Sequence, residues 1–385
     1  MSSRPVPSMQ TLSPTAFLKT AGRPLPPPLD GDRVTFWFSA RTALWQAIAA
    51  LDLPEGGGVA VPAFCCGSEL EPFVHAGLQL RPYTLGSDLA PDSTSFEAAL
   101  DGACAALVTH YFGFPSPLEG ALAACDARSI PLIEDCAHAL YAEGPVGPVG
   151  SRGAAACFSM WKSLPLPDGG ALRLAKEDHP LPPPERRSTR DEVRRRTRHL
   201  LSLGLQARGG VLGMAAAAWG RRRTRHGATA PPGAVKGGDG DPYEVIRFRP
   251  EYGRAGMSRL SWRLFRTTDH AAVRRRRRDN FALLAGELAG VAGLRPLFPV
   301  LSPGASPLFF PVVVDDPPSF RHALAAKNVG AKHVWPWFHP QVAWEQFPRE
   351  AELKRTTLGL PVHQELTPAG LDRLIDTVRH WGRSR

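Results

Sequence analysis

Lysine is scarce in this sequence: seven of its 385 residues are lysine, although lysine and arginine together number 46. One of the seven, Lys162, lies in the apolar stretch CFSMWKSLPLPDGGALRL, which covers residues 157–174. A lysine is most often a solvated surface charge. An apolar setting, however, keeps an amine uncharged and nucleophilic, so Lys162 is also a candidate for catalysis.

Metal-binding cysteine patterns are missing. The six cysteines form no CxxC pair and show no cysteine–histidine spacing typical of a zinc site. All six lie in apolar runs of the first half of the chain. We therefore expect reduced thiols, no metal site and no disulfide, as is typical of a cytoplasmic protein.

Long apolar segments are absent as well. Residues 1–19 contain no apolar core of a secretory signal. The longest candidate for a membrane span, residues 199–219, is interrupted by Gln206, Arg208 and a Gly-Gly pair. We therefore expect neither a signal peptide nor a spanning helix.

The net charge of +10 comes mainly from arginine blocks at residues 185–198, 220–227 and 273–280. Such blocks suit polyanions or membrane surfaces, but they are more often solvated helix faces. No nucleic-acid motif accompanies them, so nucleic-acid binding is not expected. A weak membrane-surface contact through residues 185–223 stays open as the minority alternative.

Short apolar runs alternate with helical segments from residue 34 to about residue 174. The runs are GVAVPAF, QLRPYTL, CAALVTHYF, IPLIED and AAACFSM. This alternation predicts an α/β fold with a mostly parallel sheet flanked by helices. Ligands of such sheets bind beyond the carboxyl ends of the strands, which is where Asp135, Ser159 and Lys162 fall.

The second half of the chain has a different pattern. Residues 176–242 are rich in proline, arginine and glycine, which predicts a variable segment with loops. Beyond it we predict a long helix over 258–289, strands in SPLFFPVVVDD and LGLPVH, and a final helix opened by Thr367. Such a separate run of strands and helices is typical of an α+β domain. The predicted parts are an N-terminal arm (1–33), a large domain (34–242) and a smaller C-terminal domain (243–385).

Two features of the large domain are ambiguous when each is taken alone. The turn from Ser39 to Thr42 joins an apolar strand to a helix, which suits a phosphate, although Ser39 is equally suited to capping the helix. Glu134 and Asp135 end a strand, where a carboxylate can serve a metal, acid–base chemistry or a helix cap. Asp135, with His138 three residues later, can also hold a protonated ring nitrogen.

Two further features lie close to the lysine. Ser159 places a hydroxyl three residues before Lys162, and Gly169–Gly170 permit a close approach of the backbone. One cofactor needs a phosphate turn, a carboxylate for a pyridinium nitrogen, a lysine for a Schiff base and tight glycine packing. That cofactor is pyridoxal 5′-phosphate (PLP).

The same stretches carry a family resemblance. The segments SARTAL, VPAFCC, THYFGFP, LIEDCAHA, GPVGSRGAAACFSMWKSLPLPDGGAL and GLPVHQELT resemble the DegT/DnrJ/EryC1/StrS sugar aminotransferases. The resemblance covers residues 34–175 and, more loosely, 250–380. It implies the PLP-dependent transferase fold of type I, with a large PLP-binding domain and a smaller C-terminal domain.

The resemblance implies a role for each matching residue. Lys162 matches the lysine that forms the Schiff base and moves the substrate proton. Asp135 matches the partner of the pyridinium nitrogen, and His138 lies where the family has a glutamine or histidine near the phenolic oxygen of the cofactor. The phosphate-binding positions are matched by Ser159, Ala40, Arg41 and Thr42.

Four positions depart from the family pattern. Arg41 stands in the phosphate turn, where it predicts a guanidinium contact in place of part of the amide cradle. The aromatic residue that stacks on the cofactor ring aligns near Cys66, so we expect Phe64 or the Cys66 thiol to cover that face. Arg254 is the best match for an asparagine from the partner subunit. Residues 165–168 replace the usual approach to the glycines and indicate a difference in the accepted substrate.

These observations predict an aminotransferase that moves an amino group from glutamate to a keto-sugar carried on a nucleotide. The product would serve polysaccharide, glycoconjugate or secondary-metabolite biosynthesis. The resemblance also implies a cytoplasmic homodimer with a shared active site. The alternative is a non-catalytic homologue that acts as a binding or scaffold protein through its arginine-rich segments. A degenerate site should have lost Lys162 or Asp135, and both remain.

Overall fold

The computed structural model of the chain describes residues 4–176, 183–187, 190–209, 213 and 247–385. The strands, in chain order, are β1 (Val34–Trp37), β2 (Gly58–Pro62), β3 (Gln79–Tyr83), β4 (Ala103–Thr109), β5 (Leu132–Cys136), β6 (Glu143–Gly144), β7 (Gly147–Pro148), β8 (Ala155–Ser159), β9 (Gly170–Leu174), β10 (Arg186–Arg187), β11 (Ala255–Gly256), β12 (Leu294–Pro296), β13 (Phe309–Val314), β14 (Lys332–His333) and β15 (Thr357–Pro361). The helices are α1 (Ala40–Ala50), α2 (Glu71–His75), α3 (Ser93–Leu100), α4 (Glu119–Asp126), α5 (Met160–Ser163), α6 (Arg190–Arg208), α7 (Arg259–Arg266), α8 (His270–Glu287), α9 (Pro317–Ala326), α10 (Pro348–Thr356) and α11 (Pro368–Arg383).

Within the described residues, one large sheet has nine strands in the order β10-β11-β1-β9-β8-β5-β4-β2-β3. The neighbours from β8 to β3 all pair in parallel. Strand β9 runs antiparallel to both β8 and β1. The predicted mostly parallel sheet is confirmed, and each of the five apolar runs named above overlaps one of its strands.

The central strands are mainly apolar because both faces of the sheet are covered. Every residue of β2, β5 and β8 is buried. Helix α1 packs against β8 and β9 on one face. Full burial of a parallel strand requires apolar side chains on both faces, so the buried Glu134 and Asp135 of β5 are exceptions that need polar partners.

A second, smaller sheet is entirely antiparallel, in the order β12-β13-β15-β14. Helix α8 packs against β13, and α9 packs against α11. The predicted strands in SPLFFPVVVDD and LGLPVH are β13 and β15. Thr367 opens the final helix by accepting a hydrogen bond from the Gly370 N–H, as predicted. This arrangement confirms the smaller α+β unit.

The predicted single helix over residues 258–289 is wrong. The structure has two helices here, because α7 ends at Arg266 and α8 begins at His270. The hydroxyl of Thr268 donates to the carbonyl of Leu264, and the carboxylate of Asp269 accepts the N–H of Ala272. These side chains satisfy the backbone groups of two helix ends, so the chain turns between the helices.

The large sheet extends beyond residue 242. Strand β11 pairs with β1 and β10, and the carbonyl of Ala255 accepts the N–H of Phe38. The division into 1–33, 34–242 and 243–385 stays a prediction. In the N-terminal arm, Gln10 donates to the carbonyls of Trp161 and Leu164, on either side of Lys162.

Among the described residues, every helix falls short of the length and apolarity that a membrane crossing requires. The predicted candidate at 199–219 begins within α6, and most of its second half lies outside the described residues. The arginine block at 220–227 lies outside them too, as does part of the segment 185–223.

Candidate active site

Three neighbouring strands bring the predicted catalytic residues to one edge of the large sheet. Asp135 lies near the carboxyl end of β5, opposite Thr109 of β4 and Cys157 of β8. Ser159 is the last residue of β8, and Lys162 follows in the short helix α5. The parallel direction of β4, β5 and β8 places these ends side by side, as predicted from the strand pattern.

Asp135 and Lys162 interact electrostatically. Asp135 is buried, and its Oδ1 accepts the N–H of Ala137 at 2.9 Å. Burial raises the pKa of this carboxyl, and the Lys162 ammonium opposes the rise. A buried carboxylate of this kind favours a cationic partner, such as a protonated ring nitrogen.

His138 lies in a cluster of aromatic rings. Its ring centroid is 5.6 Å from that of Phe112 and 5.4 Å from that of Trp335, and the planes are within 27° of parallel. Burial and the charges of Lys162 and Lys332 hold the pKa of His138 well below its usual value, so the ring is neutral near pH 7. Because Nδ1 accepts the N–H of Phe112, the proton is assigned to Nε2.

Ser159 and the start of helix α1 share one location. Gly170 pairs with Ser159 across β8 and β9. A Cβ atom at Gly170 would lie 2.2 Å from the carbonyl carbon of Ser39 and 2.5 Å from the nitrogen of Ala40. Gly170 therefore has no side chain because the first turn of α1 packs directly against it, as the predicted close approach requires.

This location fits a phosphate. The Oγ of Ser159 is buried and has no hydrogen-bond partner in the described part of the chain. A buried hydroxyl without a partner is costly, so a ligand oxygen at this point would be stabilising. The positive end of α1 lies beside it. Ser159 and the first turn of α1 thus fit the phosphate group of PLP.

The other members of the predicted phosphate turn have partners in the chain. The N–H of Thr42 donates to Ser39 Oγ at 3.2 Å, so Ser39 is the helix cap. The hydroxyl of Thr42 donates to the carbonyl of Tyr252. Nη1 of Arg41 donates to the carbonyl of Arg247 at 3.0 Å, so its guanidinium already has a backbone partner. The phosphate roles of Ala40, Arg41 and Thr42 stay predictions.

The residues predicted to cover the cofactor ring differ in exposure. Phe64 is fully buried and packs against Tyr111 and Trp335, with ring centroids 5.5 Å and 5.0 Å away. Cys66 is partly exposed, and its carbonyl accepts the indole N–H of Trp337 at 2.5 Å. Phe64 is therefore part of the aromatic core, and Cys66 borders the site.

Arg254 lies on the surface, where it forms an ion pair with Glu185. Arg254 precedes β11, whose partner strand β1 leads into the phosphate turn. A contact of Arg254 with a partner subunit stays a prediction. Asp168, in contrast, is fully buried, and its Oδ1 accepts the N–H and the hydroxyl of Ser258. Asp168 therefore holds the start of α7, and the effect of residues 165–168 on the accepted substrate stays a prediction.

Two further charged residues, Glu69 and Lys332, interact electrostatically with the predicted site residues. Glu69 is buried; its Oε1 accepts the N–H of Cys66, and its Oε2 has no partner in the described part of the chain. Burial and the charge of Asp135 raise the pKa of Glu69. Lys332 lies on β14, and burial followed by the charge of Lys162 lowers its pKa to about 8. An acidic residue inside the apolar run FCCGSELEPF was the available signal for Glu69.

Arg277 holds the helix that carries Lys162. It is almost fully buried, and its Nη2 donates to the carbonyl of Ser163 at 2.8 Å. Its other nitrogens donate to Gln364 and to the carbonyls of Pro307 and Leu308. This side chain therefore connects α5 to the loops that flank β13 and β15.

Comparison with known proteins agrees with this arrangement. Residues 34–179 match the family model described as the DegT/DnrJ/EryC1/StrS aminotransferase family. Over 144 residues, the chain is 31% identical to a UDP-N-acetyl-3-dehydro-alpha-D-glucosamine 3-aminotransferase of Acidithiobacillus ferrooxidans; the match covers 36% of this chain and 38% of that protein. Over 125 residues, the chain is 34% identical to an L-glutamine:scyllo-inosose aminotransferase of Streptomyces griseus; this match covers 32% of this chain and 30% of that protein. The matches thus span well under half the length of these relatives.

Solved structures extend the likeness to nearly the whole chain at the level of the fold. AtS13 from Actinomadura melliaura superposes with a TM-score of 0.66 at 21% identity, covering 99% of this chain and 100% of that chain. The sugar aminotransferase CalS13 from Micromonospora echinospora superposes with a TM-score of 0.61 at 17% identity, covering 99% of this chain and 100% of that chain. The predicted fold is confirmed, and the match to the DegT/DnrJ/EryC1/StrS aminotransferase family model covers residues 34–179.

Proposed function

We propose that this protein is a PLP-dependent aminotransferase that transfers an amino group from glutamate to a keto-sugar carried on a nucleotide. One observation carries the proposal: the buried carboxyl of Asp135, the amine of Lys162 and the unpartnered hydroxyl of Ser159 lie together at the carboxyl ends of β5 and β8. The family match over residues 34–179 supports the aminotransferase class.

Each residue has a part that its position supports. PLP, when bound, acts as an electron sink for the substrate carbon. Asp135 would hold the ring nitrogen in its protonated form, and Ser159 with the first turn of α1 would hold the phosphate. His138, with its proton assigned to Nε2, would donate a hydrogen bond to the phenolic oxygen. Lys162 would attach the cofactor and then carry a proton as a free amine.

Other support for PLP comes from the fold. Spr1654 from Streptococcus pneumoniae, solved in its PLP form, has a TM-score of 0.66 against this chain at 14% identity, covering 99% of both chains. The two aminotransferases named above act, by their names, on a keto-sugar nucleotide and on an inosose. These names favour a cyclic keto compound as the acceptor. Glutamate as donor, the homodimer and the cytoplasmic location belong to the same proposal.

The visible spectrum of the purified protein tests the proposal. We expect a yellow absorption band after addition of PLP, removal of the band by borohydride, and no band in Lys162→Ala, because that variant lacks the amine that attaches the cofactor. Lys176→Ala is the matched control, since Lys176 is an exposed lysine in the same half of the chain. Wild-type protein that stays colourless with added PLP would contradict the enzyme and favour the scaffold alternative.

The substrate pair is tested separately. Transfer of the amino group from labelled glutamate onto a panel of nucleotide-linked keto-sugars should label one member of the panel. Transfer onto free keto-sugars or inososes alone would correct the acceptor class without affecting the cofactor assignment.

A further inference from the structure

Two buried aromatic residues of the site have a strained backbone. Phe112 and Trp335 have φ angles of 54° and 55°, which lie in the left-handed region. Bulky residues rarely adopt this conformation, and it persists only where the surrounding structure holds it. Phe112 follows β4 of the large sheet, whereas Trp335 follows β14 of the small sheet. Such residues concentrate at functional sites, so what these two have in common indicates what the strain serves.

Both rings contact the imidazole of His138. The planes of His138 and Trp335 are 22° apart with their centroids separated by 5.4 Å, and those of His138 and Phe112 are 27° apart at 5.6 Å. Phe112 and Trp335 also stack on each other, at 5.9 Å and 22°. All three residues are more than nine-tenths buried. The two strained residues therefore share one neighbour, His138.

The strained turn at Phe112 is held by the chain that leads into β13. The carbonyls of Phe112 and Gly113 accept the N–H groups of Leu308 and Ser306. A Cβ atom at Gly113 would lie 2.0 Å from the carbonyl oxygen of Ser306, so glycine is required for this approach. The position of the Phe112 ring is thus set by a segment of the small sheet.

The segment that carries Trp335 is held on both sides of this residue. Before it, the N–H of Val334 donates to the carbonyl of Thr357 at the start of β15. After it, the indole of Trp337 donates to the carbonyl of Cys66. These hydrogen bonds hold the backbone in its left-handed conformation. The small sheet therefore fixes both rings that contact His138.

The hydrogen bond to His138 is too long to orient the imidazole alone. The N–H of Phe112 donates to Nδ1 at 3.4 Å, beyond the usual range of about 2.7–3.2 Å. A neutral imidazole with so weak a partner can turn about its side-chain bonds and can carry its proton on either nitrogen. Stacking on Trp335 opposes the turn, because it fixes the plane of the ring. With the plane fixed and Nδ1 accepting, the proton belongs on Nε2.

Resting on the proposed function, we propose that Trp335 is a positioning residue, which holds His138 in the tautomer whose Nε2–H serves the phenolic oxygen of the cofactor. Trp335 acts through His138 and needs no contact with the cofactor itself. The small sheet thereby contributes to the site by orienting a histidine of the large domain. The strain at Trp335 is the consequence of bringing an indole from β14 to this ring.

Long-range proton–nitrogen NMR spectra of the isotope-labelled full chain test the assignment, because they report which nitrogen of a histidine carries the proton. His138→Gln identifies the signals of His138 among those of the 12 histidines. At pH 7 and without PLP, we expect a single tautomer, protonated on Nε2, in the wild type. Trp335→Leu should give a mixture of both tautomers, because leucine cannot fix the plane of the imidazole. Trp335→Phe should restore most of the Nε2-protonated form, since it keeps an aromatic ring.

Titration of the yellow band extends the test to the protein with PLP. We expect Trp335→Leu to weaken PLP binding by roughly 5-fold, the equivalent of one net hydrogen bond. Trp262→Leu is the matched control, because it removes a partly buried tryptophan whose ring packs on Phe36, with the centroids 4.8 Å apart. This control should change neither the tautomer of His138 nor the affinity for PLP.

The possible failures are distinguishable. A folded Trp335→Leu protein with His138 in the wild-type tautomer overturns the assignment, and so does a mixture of tautomers in the wild type or an equal effect of Trp262→Leu. Should Trp335→Leu not fold, Trp335→Met replaces it, since methionine fills more of the volume without a ring. Wild-type protein that gives no yellow band, while the tautomer of His138 still depends on Trp335, would refute the cofactor and retain the positioning role.

Discussion

At the scale of single residues, the adjacent carboxylates Glu134 and Asp135 have different tasks because successive side chains of a strand point to opposite faces. Asp135 faces Lys162. Glu134 accepts the backbone N–H groups of Gly150, Arg152 and Gly153. The sequence placed both at a strand end and could not separate metal binding, capping and acid–base roles. Which face each side chain occupies is decided by the register of β5 in the sheet.

His110 adds a side-chain hydrogen bond to the three backbone hydrogen bonds that Glu134 accepts. We call this set of hydrogen bonds the Glu134 clamp. Nδ1 of His110 accepts the N–H of Ser116, so Nε2 carries the proton and donates to Glu134 at 3.0 Å. His110, Glu134 and Cys136 also have ligand atoms within 4.8 Å of one another. Both carboxylate oxygens of Glu134 are already used by hydrogen bonds, so the cluster is explained by the clamp.

Glu134→Gln should destabilise the protein by about 3 kcal/mol at pH 7. The reason is that the amide nitrogen cannot accept the hydrogen bonds accepted by the carboxylate oxygen that it replaces. Although burial opposes it, the hydrogen bond from His110 holds the pKa of Glu134 below its usual value. This stabilisation is therefore present above the unfolded-state pKa and is lost as pH falls through the lower folded-state pKa. Urea unfolding at pH 7 and at about pH 4 should show the difference from wild type shrinking in acid.

The control for this experiment is Glu119→Gln, which removes an exposed carboxylate paired with Arg152. We expect little change there, because exposed ion pairs contribute little. Equal effects of the two variants would contradict the clamp.

At the scale of elements, the arginine block on α8 shows that a run of charged residues need not form a solvated helix face. The sequence favoured a solvated face for residues 273–280. In the structure, Arg276 donates to the carbonyl of Leu366, Arg278 donates to that of Ala305, and Arg274 pairs with Glu143. Together with the buried Arg277, the helix therefore uses four guanidinium groups to hold surrounding loops. Arginine serves this purpose because one planar group can donate in several directions.

Arg277→Met should lower the free energy of unfolding by about 3 kcal/mol, because it leaves buried carbonyls without donors. It should also weaken PLP binding, since the carbonyl of Ser163, next to Lys162, loses its 2.8 Å hydrogen bond. Urea unfolding and titration of the visible band measure the two effects. Arg275→Met, which changes an exposed neighbour on the same helix, is the control. If Arg277→Met were as stable as this control, the hydrogen bonds of Arg277 would not stabilise the fold as proposed.

At the scale of the whole molecule, the site is assembled from both sheets. Asp135 and Ser159 come from the large sheet, whereas Lys332 and Trp335 come from β14 and the segment after it. Lys162 is held between them by Arg277 and Gln10. Relative movement of the two sheets would therefore change how the segment after β14 covers the site.

The proposed homodimer is the prediction that belongs to this scale. Sedimentation equilibrium should give twice the 41.7 kDa mass of one chain. If Arg254 serves the site of a partner subunit, Arg254→Ala should reduce the affinity for PLP or substrate while leaving the mass unchanged. A protein that sediments as a monomer with full PLP binding would contradict the shared site.

The sequence by itself determined the class of fold and the main candidates. Alternating apolar runs predicted the parallel sheet, since a strand covered on both faces must be apolar throughout. The unusual setting of Lys162, and the family pattern around it, predicted the site at the strand ends. These features depend on neighbours close in the chain, where spacing carries the information.

Tertiary structure decided what depends on contacts between distant segments. Lys332 lies 170 positions after Lys162 in the numbering, and only the pairing of β14 with β15 brings it to the site. Likewise, only the fold shows that the carboxylate of Asp168 accepts a hydrogen bond from Ser258, the residue that caps α7. Which side chains are buried, and which groups they contact, depends on the packing of segments that are distant in the chain. The local sequence does not contain that information.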